Sequence, residues 1–149
     1  MDEYEKWEQD CKRIRSSNNK LLLEFGTALK KDGLSEKTID KHLNNVDFYI
    51  NEYLLYDDAR EPQDGIHAIS MFLGYWFIKK AMWSSTESIK SNASSLKKFY
   101  GFLLEKGMID NESYVELKQT IKDEMSEWLA TMERYEDPEI EDMEDVWRF

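Results

Sequence analysis

Apolar residues at alternating four- and three-residue steps, with little to interrupt them, restrict this chain to helices. The stretch "GLSEKTIDKHLNNVDFYINEYLL" from Gly33 places Ile39, Leu43, Val46, Ile50 and Tyr53 on one side of a helix, the spacing that a 3.6-residue repeat requires of a buried stripe. Only two prolines, Pro62 and Pro138, occur in 149 residues, both in acidic or polar connecting stretches. No segment shows the strict alternation of a half-buried strand, so the expected class is all-α.

Capping residues divide the pattern. A first helix is expected from Glu3 to about Arg15, with "SSNN" at residues 16–19 as either a break or the cap of the next helix. That helix carries Leu21, Leu22, Phe25 and Leu29 and stops at Gly33, a natural left-handed residue after a C-terminus. Ser35 caps the amphipathic helix already described. A loop over residues 56–64 leads into "IHAISMFLGYWFIKKAM", apolar around most of its circumference and so expected at the centre. Ser84, with Glu87 reaching back, reads as the capping box of a helix lined by Ile89, Ala93, Leu96, Tyr100 and Leu103 and ended by Gly107. Asp110 caps a last long helix through Val115, Ile121, Met125, Trp128, Leu129 and Met132. The expected core joins Ile39, Leu43, Val46, Ile89, Leu96 and Tyr100 around the segment from Phe72 to Trp76.

Charge is unevenly placed. The net charge is −11, but residues 123–149 hold eleven acidic side chains against Arg134 and Arg148. Between residues 61 and 100 the balance turns positive, with Lys79, Lys80, Lys90, Lys97 and Lys98 against Glu61, Asp64 and Glu87. Acidity therefore belongs to the C-terminus and basicity to the middle, where a phosphate partner would be met. The charged N-terminus has no apolar signal core, and the longest apolar run, "MFLGYWFI", is far short of the roughly 20 residues of a membrane span. A cytoplasmic chain with no membrane partner is expected.

Few constellations of catalytic or metal-binding type occur. Cys11 is the single cysteine, which leaves neither a disulfide framework nor a cysteine zinc site within the chain. His42 and His67 lie in no metal-ligand spacing and read as surface or core histidines. Asp137, Glu139 and Glu141 alternate like calcium ligands, but Asp142 stands where the loop needs glycine and Arg148 where it needs glutamate. No metal or cofactor is expected. Trp76, Trp83, Tyr75 and Phe77 would serve as a base-stacking platform or, more ordinarily, as core. The remaining candidate is the polar face of the helix after Thr86, with Ser88, Lys90, Ser91, Asn92, Ser94, Ser95, Lys97 and Lys98. Short Ser and Asn side chains allow close approach to a phosphate backbone and lysine supplies the counter-charge. A solvated face has a similar composition.

Two phrases taken together, "GLSEKTIDKHLNNVDFYINEYL" and "STESIKSNASSLKKFYGFLLEKGMIDN", resemble the N-terminal core-binding (SAM-like) domain of tyrosine recombinases and phage integrases. Gly33, Leu34, Ser35, Thr38 and Ile39 match the first family phrase. Ile89, Leu96, Phe99, Tyr100, Phe102, Leu103, Gly107, Ile109 and Asn111 match the second. The resemblance implies a small orthogonal bundle of about five to six helices that clamps duplex DNA. Carried over by position, it implies DNA contacts from Lys37, Thr38, Lys41 and Asn45 on one helix and from Lys90, Ser91, Ser94, Lys97 and Lys98 on the other. Asp40 and Asp47 interrupt the first set. The family's catalytic arginines, H-x-x-R box and tyrosine nucleophile have no counterpart after Asn111, and Glu112 replaces the family proline.

The expected organisation is a helical extension over residues 1–18, an integrase core-binding-like domain over 19–112, a helix over 113–135 and an acidic tail over 136–149. The expected role is non-catalytic DNA binding with weak sequence preference, as an accessory or competitor in DNA recombination. The alternative class is a protein-interaction adaptor. There the acidic C-terminus and its Trp147 and Phe149 dock on a partner or a second copy; in the DNA-binding reading the same tail, with Trp147 and Phe149 as its apolar foothold, competes with DNA for the lysine face as an intramolecular inhibitor.

Overall fold

The computed structural model describes residues 1–147, and these are all helix and connecting turn. Helix α1 (Glu3–Lys31) begins where the Asp2 carboxylate accepts from Glu5 N–H at 2.8 Å. The break expected at residues 16–19 does not occur. Asn18 turns inward, donating to Asn51 Oδ1 at 2.8 Å and to the Ile50 carbonyl at 3.3 Å. Asparagine opposes a helix interior because its amide competes for local backbone groups; a tertiary partner removes that competition. The helix consequently runs unbroken across residues 18 and 19.

Helix α2 (Glu36–Asp47) is capped by Ser35 as expected and continues into a π-helical turn (Phe48–Tyr53). A 3-10 turn (Pro62–His67) precedes α3 (Ile69–Met71), a second π turn (Phe72–Trp76) and α4 (Phe77–Lys80), three pieces of one central run. Helix α5 (Thr86–Glu105) starts one residue later than the sequence indicates. Ser85, not Ser84, caps it, and Ser88, not Glu87, reaches back to the Ser85 N–H at 2.8 Å. Ser84 instead donates to the Ile78 carbonyl at 3.1 Å, which ties the loop to the end of α4. Gly33 and Gly107 carry φ of 88° and 75°, the left-handed stops that their positions called for. Helix α6 (Asn111–Glu136) is capped by Asp110.

The two π turns face each other and widen the backbone where the largest rings meet. Phe72 lies 4.8 Å from Tyr49 and 4.9 Å from Tyr53, ring centre to ring centre, and both are edge-on or tilted, the arrangements that aromatic quadrupoles favour. Val46, Ile89, Leu96, Phe99 and Tyr100 complete the buried core. Ile39 and Leu43, expected inside, are only half-buried because they line a groove shared with α1. Val115, expected on the inner stripe of α6, is exposed.

Two buried hydroxyls hold the 3-10 turn against this core. Tyr49 donates to the Gly65 carbonyl at 2.6 Å and Tyr100 to the Pro62 carbonyl at 2.7 Å. Burial pushes both phenols above their ordinary pKa, which keeps them protonated donors. Tyr100→Phe leaves the Pro62 carbonyl without that donor and is expected to cost about 1–3 kcal/mol, read by denaturant unfolding. An unchanged midpoint would show that the turn is held by other contacts.

The expected acidic tail is partly folded. Residues 143–147 form a short helix, α7 (Met143–Trp147), whose Val146 is buried and whose Val146 carbonyl accepts from Arg134 Nε at 2.8 Å. Trp147 packs 4.7 Å from Tyr75 and 5.8 Å from Tyr135, ring centre to ring centre. Two apolar side chains are enough to draw this otherwise acidic segment back onto α6 and the central run. Phe149 lies outside the described residues. No helix among the described residues is long and apolar enough to cross a membrane.

Candidate nucleic-acid interface

The candidate surface is built where α2 packs along α5. Asn45 Nδ2 donates to Ser91 Oγ and to Ser95 Oγ, each at 3.0 Å, and His42 Nδ1 lies 2.7 Å from Ser95 Oγ. Ser95 Oγ has one hydrogen and two lone pairs, so it bonds Asn45 and a neutral His42 of either tautomer at once. Small polar side chains thus make a hydrogen-bonded seam between two helices. Asn92 is buried beside it and donates back to the Ser88 carbonyl at 2.8 Å. Asn92 and Ser95, from the face that the sequence presents as polar, are therefore spent inside the protein.

Lysines border the seam. His42 is 2% exposed, and its pKa falls from 6.5 to about 4 through burial first, then the charges of Lys41 and Lys98. Those two lysines, from different helices, act on the same ring. Lys37, Lys41, Lys97 and Lys98 are exposed, and none forms an ion pair among the described residues. Lys90 is also exposed but pairs with Glu87 at 3.7 Å.

The other residues expected at the interface are more occupied. Asn45 and Ser91 bond to each other and are half-buried, which corrects their placement as outward contacts. Thr38 accepts from Ser35 Oγ at 3.0 Å within the α2 cap, and Ser94 is half-buried. Of the interrupting acids, Asp40 lines the α1 groove with Glu36, and Asp47 accepts from Asn51 at 2.6 Å. Neither His42 nor Ser95 stood out in the sequence as an organiser of this surface; a histidine one residue from Lys41 was the available signal.

Neutral burial of His42 has a measurable consequence. Between pH 6.5 and about 4 the unfolded chain binds a proton at this site that the folded chain refuses. The stability due to the neutral ring is complete above the unfolded value and is lost as pH falls toward the folded one. The expected loss is on the order of 3 kcal/mol at most. His42→Gln removes the titration, so its unfolding free energy should fall less steeply over this window than that of the wild type. Equal slopes would contradict a buried neutral imidazole.

Compared with protein-family models, curated proteins and solved structures, the chain shows no match to any. The chemistry of the surface itself therefore has to carry the reading. Lys37, Lys41 and Lys98 beside a small-residue seam supply counter-charge and close approach, which suits a phosphate backbone, whereas Lys97 stands about 160° around α5 from Ser95, on the side where Tyr114 Oη donates to its carbonyl. There is no arginine among these residues to form the bidentate fork that reads guanine.

Proposed function

We propose that this chain is a non-catalytic DNA-binding module of low sequence preference, acting as an accessory or competitor in DNA recombination. The observation that carries the reading is the convergence of Lys41 and Lys98, from two helices, over the seam centred on His42. Lys37, one turn before Lys41 on α2, extends the same cationic edge. The resemblance of the α2 and α5 phrases to the core-binding domain of tyrosine recombinases supports the assignment to DNA, since those phrases supply both helices of the edge. Binding through lysine alone is backbone-directed.

The test is a mobility-shift titration with random-sequence duplex DNA at about 50 mM salt, where phosphate contacts are strongest. A retarded complex without covalent attachment is the expected result. The absence of any complex at this salt would overturn the reading, and a covalent adduct would overturn its non-catalytic part.

A second reading, a protein-interaction adaptor, is favoured by the groove of about 630 Å³ between α1 and α2. Leu22, Leu23, Ile39 and Leu43 line it, and Leu23 is 74% exposed. This is apolar surface of the kind that partner helices cover.

A further inference from the structure

The seam between α2 and α5 carries lysines at one end and an exposed tryptophan at the other. Lys37, Lys41 and Asn45 on α2 and Phe48 at the start of the π turn follow one another at steps of four, four and three, a single stripe. On α5, Lys98, Ser95, Ser91 and Ser88 make the facing stripe at the same kind of spacing. The two stripes meet at Trp83, in the loop between α4 and α5. Trp83 lies 5.0 Å from Phe48, ring centre to ring centre and edge-on, and its carbonyl accepts from Ser88 Oγ at 3.2 Å.

Trp83 is also open to solvent. It is 57% exposed and its neighbour Met82 is 99% exposed, values that an indole covered on both faces does not reach. Its seat is nonetheless firm. Phe77 makes a second edge-on contact at 6.3 Å, and the Ser84 and Ser88 hydroxyls tie the loop to α4 and α5. The charged groups on the adjoining turns are Lys79, Lys80 and Lys90 against Glu87, which is itself paired with Lys90. A pinned, solvent-open indole at one end of a neutral seam with lysines at the other has the parts of a base-stacking platform: lysines hold phosphates while the ring receives a base face. From Lys98 to Ser88 the helix rises about 15 Å, so one DNA strand reaches both.

We infer that this surface recognises DNA with unpaired bases beside a duplex, with Trp83 stacking on the first unpaired base and Lys41 and Lys98 holding the backbone. The inference rests on the DNA-binding reading above and adds to it the form of DNA that is preferred.

The experiment compares two fluorescent probes by anisotropy at about 50 mM salt: a blunt duplex, and the same duplex with a single-stranded thymidine tail. The wild type should bind the tailed probe roughly tenfold more tightly, the size of one aromatic–base stack. Trp83→Ala should bring the ratio of the two affinities close to one, and Trp83→Phe should keep most of it. Lys41→Glu with Lys98→Glu should weaken both probes and leave the ratio standing. The ratio reports the stack even if a variant is partly unfolded, because both probes then lose equally. A wild-type ratio of one, or a ratio that survives Trp83→Ala, overturns the inference and leaves DNA binding intact. Binding of neither probe overturns the DNA reading itself, and the inference with it.

Discussion

Replacing Phe72 with alanine is expected to lower the unfolding free energy by about 3–5 kcal/mol. The ring is fully buried and touches Phe48, Tyr49, Tyr53, Trp76 and Phe77, with centroid separations from 4.8 to 6.2 Å. Removing it deletes transfer free energy and opens a cavity. The cavity cannot easily collapse, because its walls are other rings held in two facing π turns and by the Tyr49–Gly65 hydrogen bond. Phe72→Leu retains much of the volume and should cost distinctly less. Equilibrium unfolding in urea measures both. A loss below about 1 kcal/mol for the alanine variant would show that the aromatic cluster is not the centre of the fold.

Reversing the two convergent lysines, Lys41→Glu with Lys98→Glu, is expected to weaken duplex binding about 100-fold at roughly 0.1 M salt. Each lysine–phosphate contact releases close to one counterion, so at that salt each contributes nearly tenfold in affinity. Two lost contacts account for most of the change, and repulsion from the new carboxylates adds to it. Both side chains are exposed and free of ion pairs among the described residues, so the substitutions remove no structural partner. The folded protein should keep its thermal midpoint within a few degrees. A binding loss of less than threefold in a folded double variant would place the DNA contacts elsewhere.

Local signals, where a side chain acts on its own backbone, were legible except at the start of α5, read one residue early. Ser35, Asp110, Gly33 and Gly107 mark helix ends as the sequence indicates, and the stripes through Val46 and Leu96 point to the core. Illegible features depended on partners distant in the chain. Asn18 reads as a helix breaker until Asn51 and the Ile50 carbonyl satisfy it. Ser91 and Ser95 read as surface until Asn45, about fifty positions away, is found between them. Ser84 and Ser85 each have a residue three positions on that is able to reach back, but Ser84 is tied to the Ile78 carbonyl and Ser85 takes the cap. The first π turn lies within the regular stripe Ile39, Leu43, Val46, Ile50, Tyr53, and the second in a segment apolar around most of its circumference, so neither shows as a slip in periodicity. Trp76 and Trp83 belong to one aromatic cluster in the sequence, yet only Trp83 is left exposed, at the end of the run where the chain turns into α5. The C-terminal acids conceal Val146 and Trp147, whose burial folds α7 back.

The most direct test of the account is the salt dependence of duplex binding. With Lys37, Lys41 and Lys98 on phosphates, the logarithm of the association constant should fall against the logarithm of salt concentration with a slope of roughly −3. In Lys41→Glu with Lys98→Glu it should flatten by about 2. A wild-type slope near zero, or equal slopes for the two proteins, would contradict the assignment of this edge to DNA.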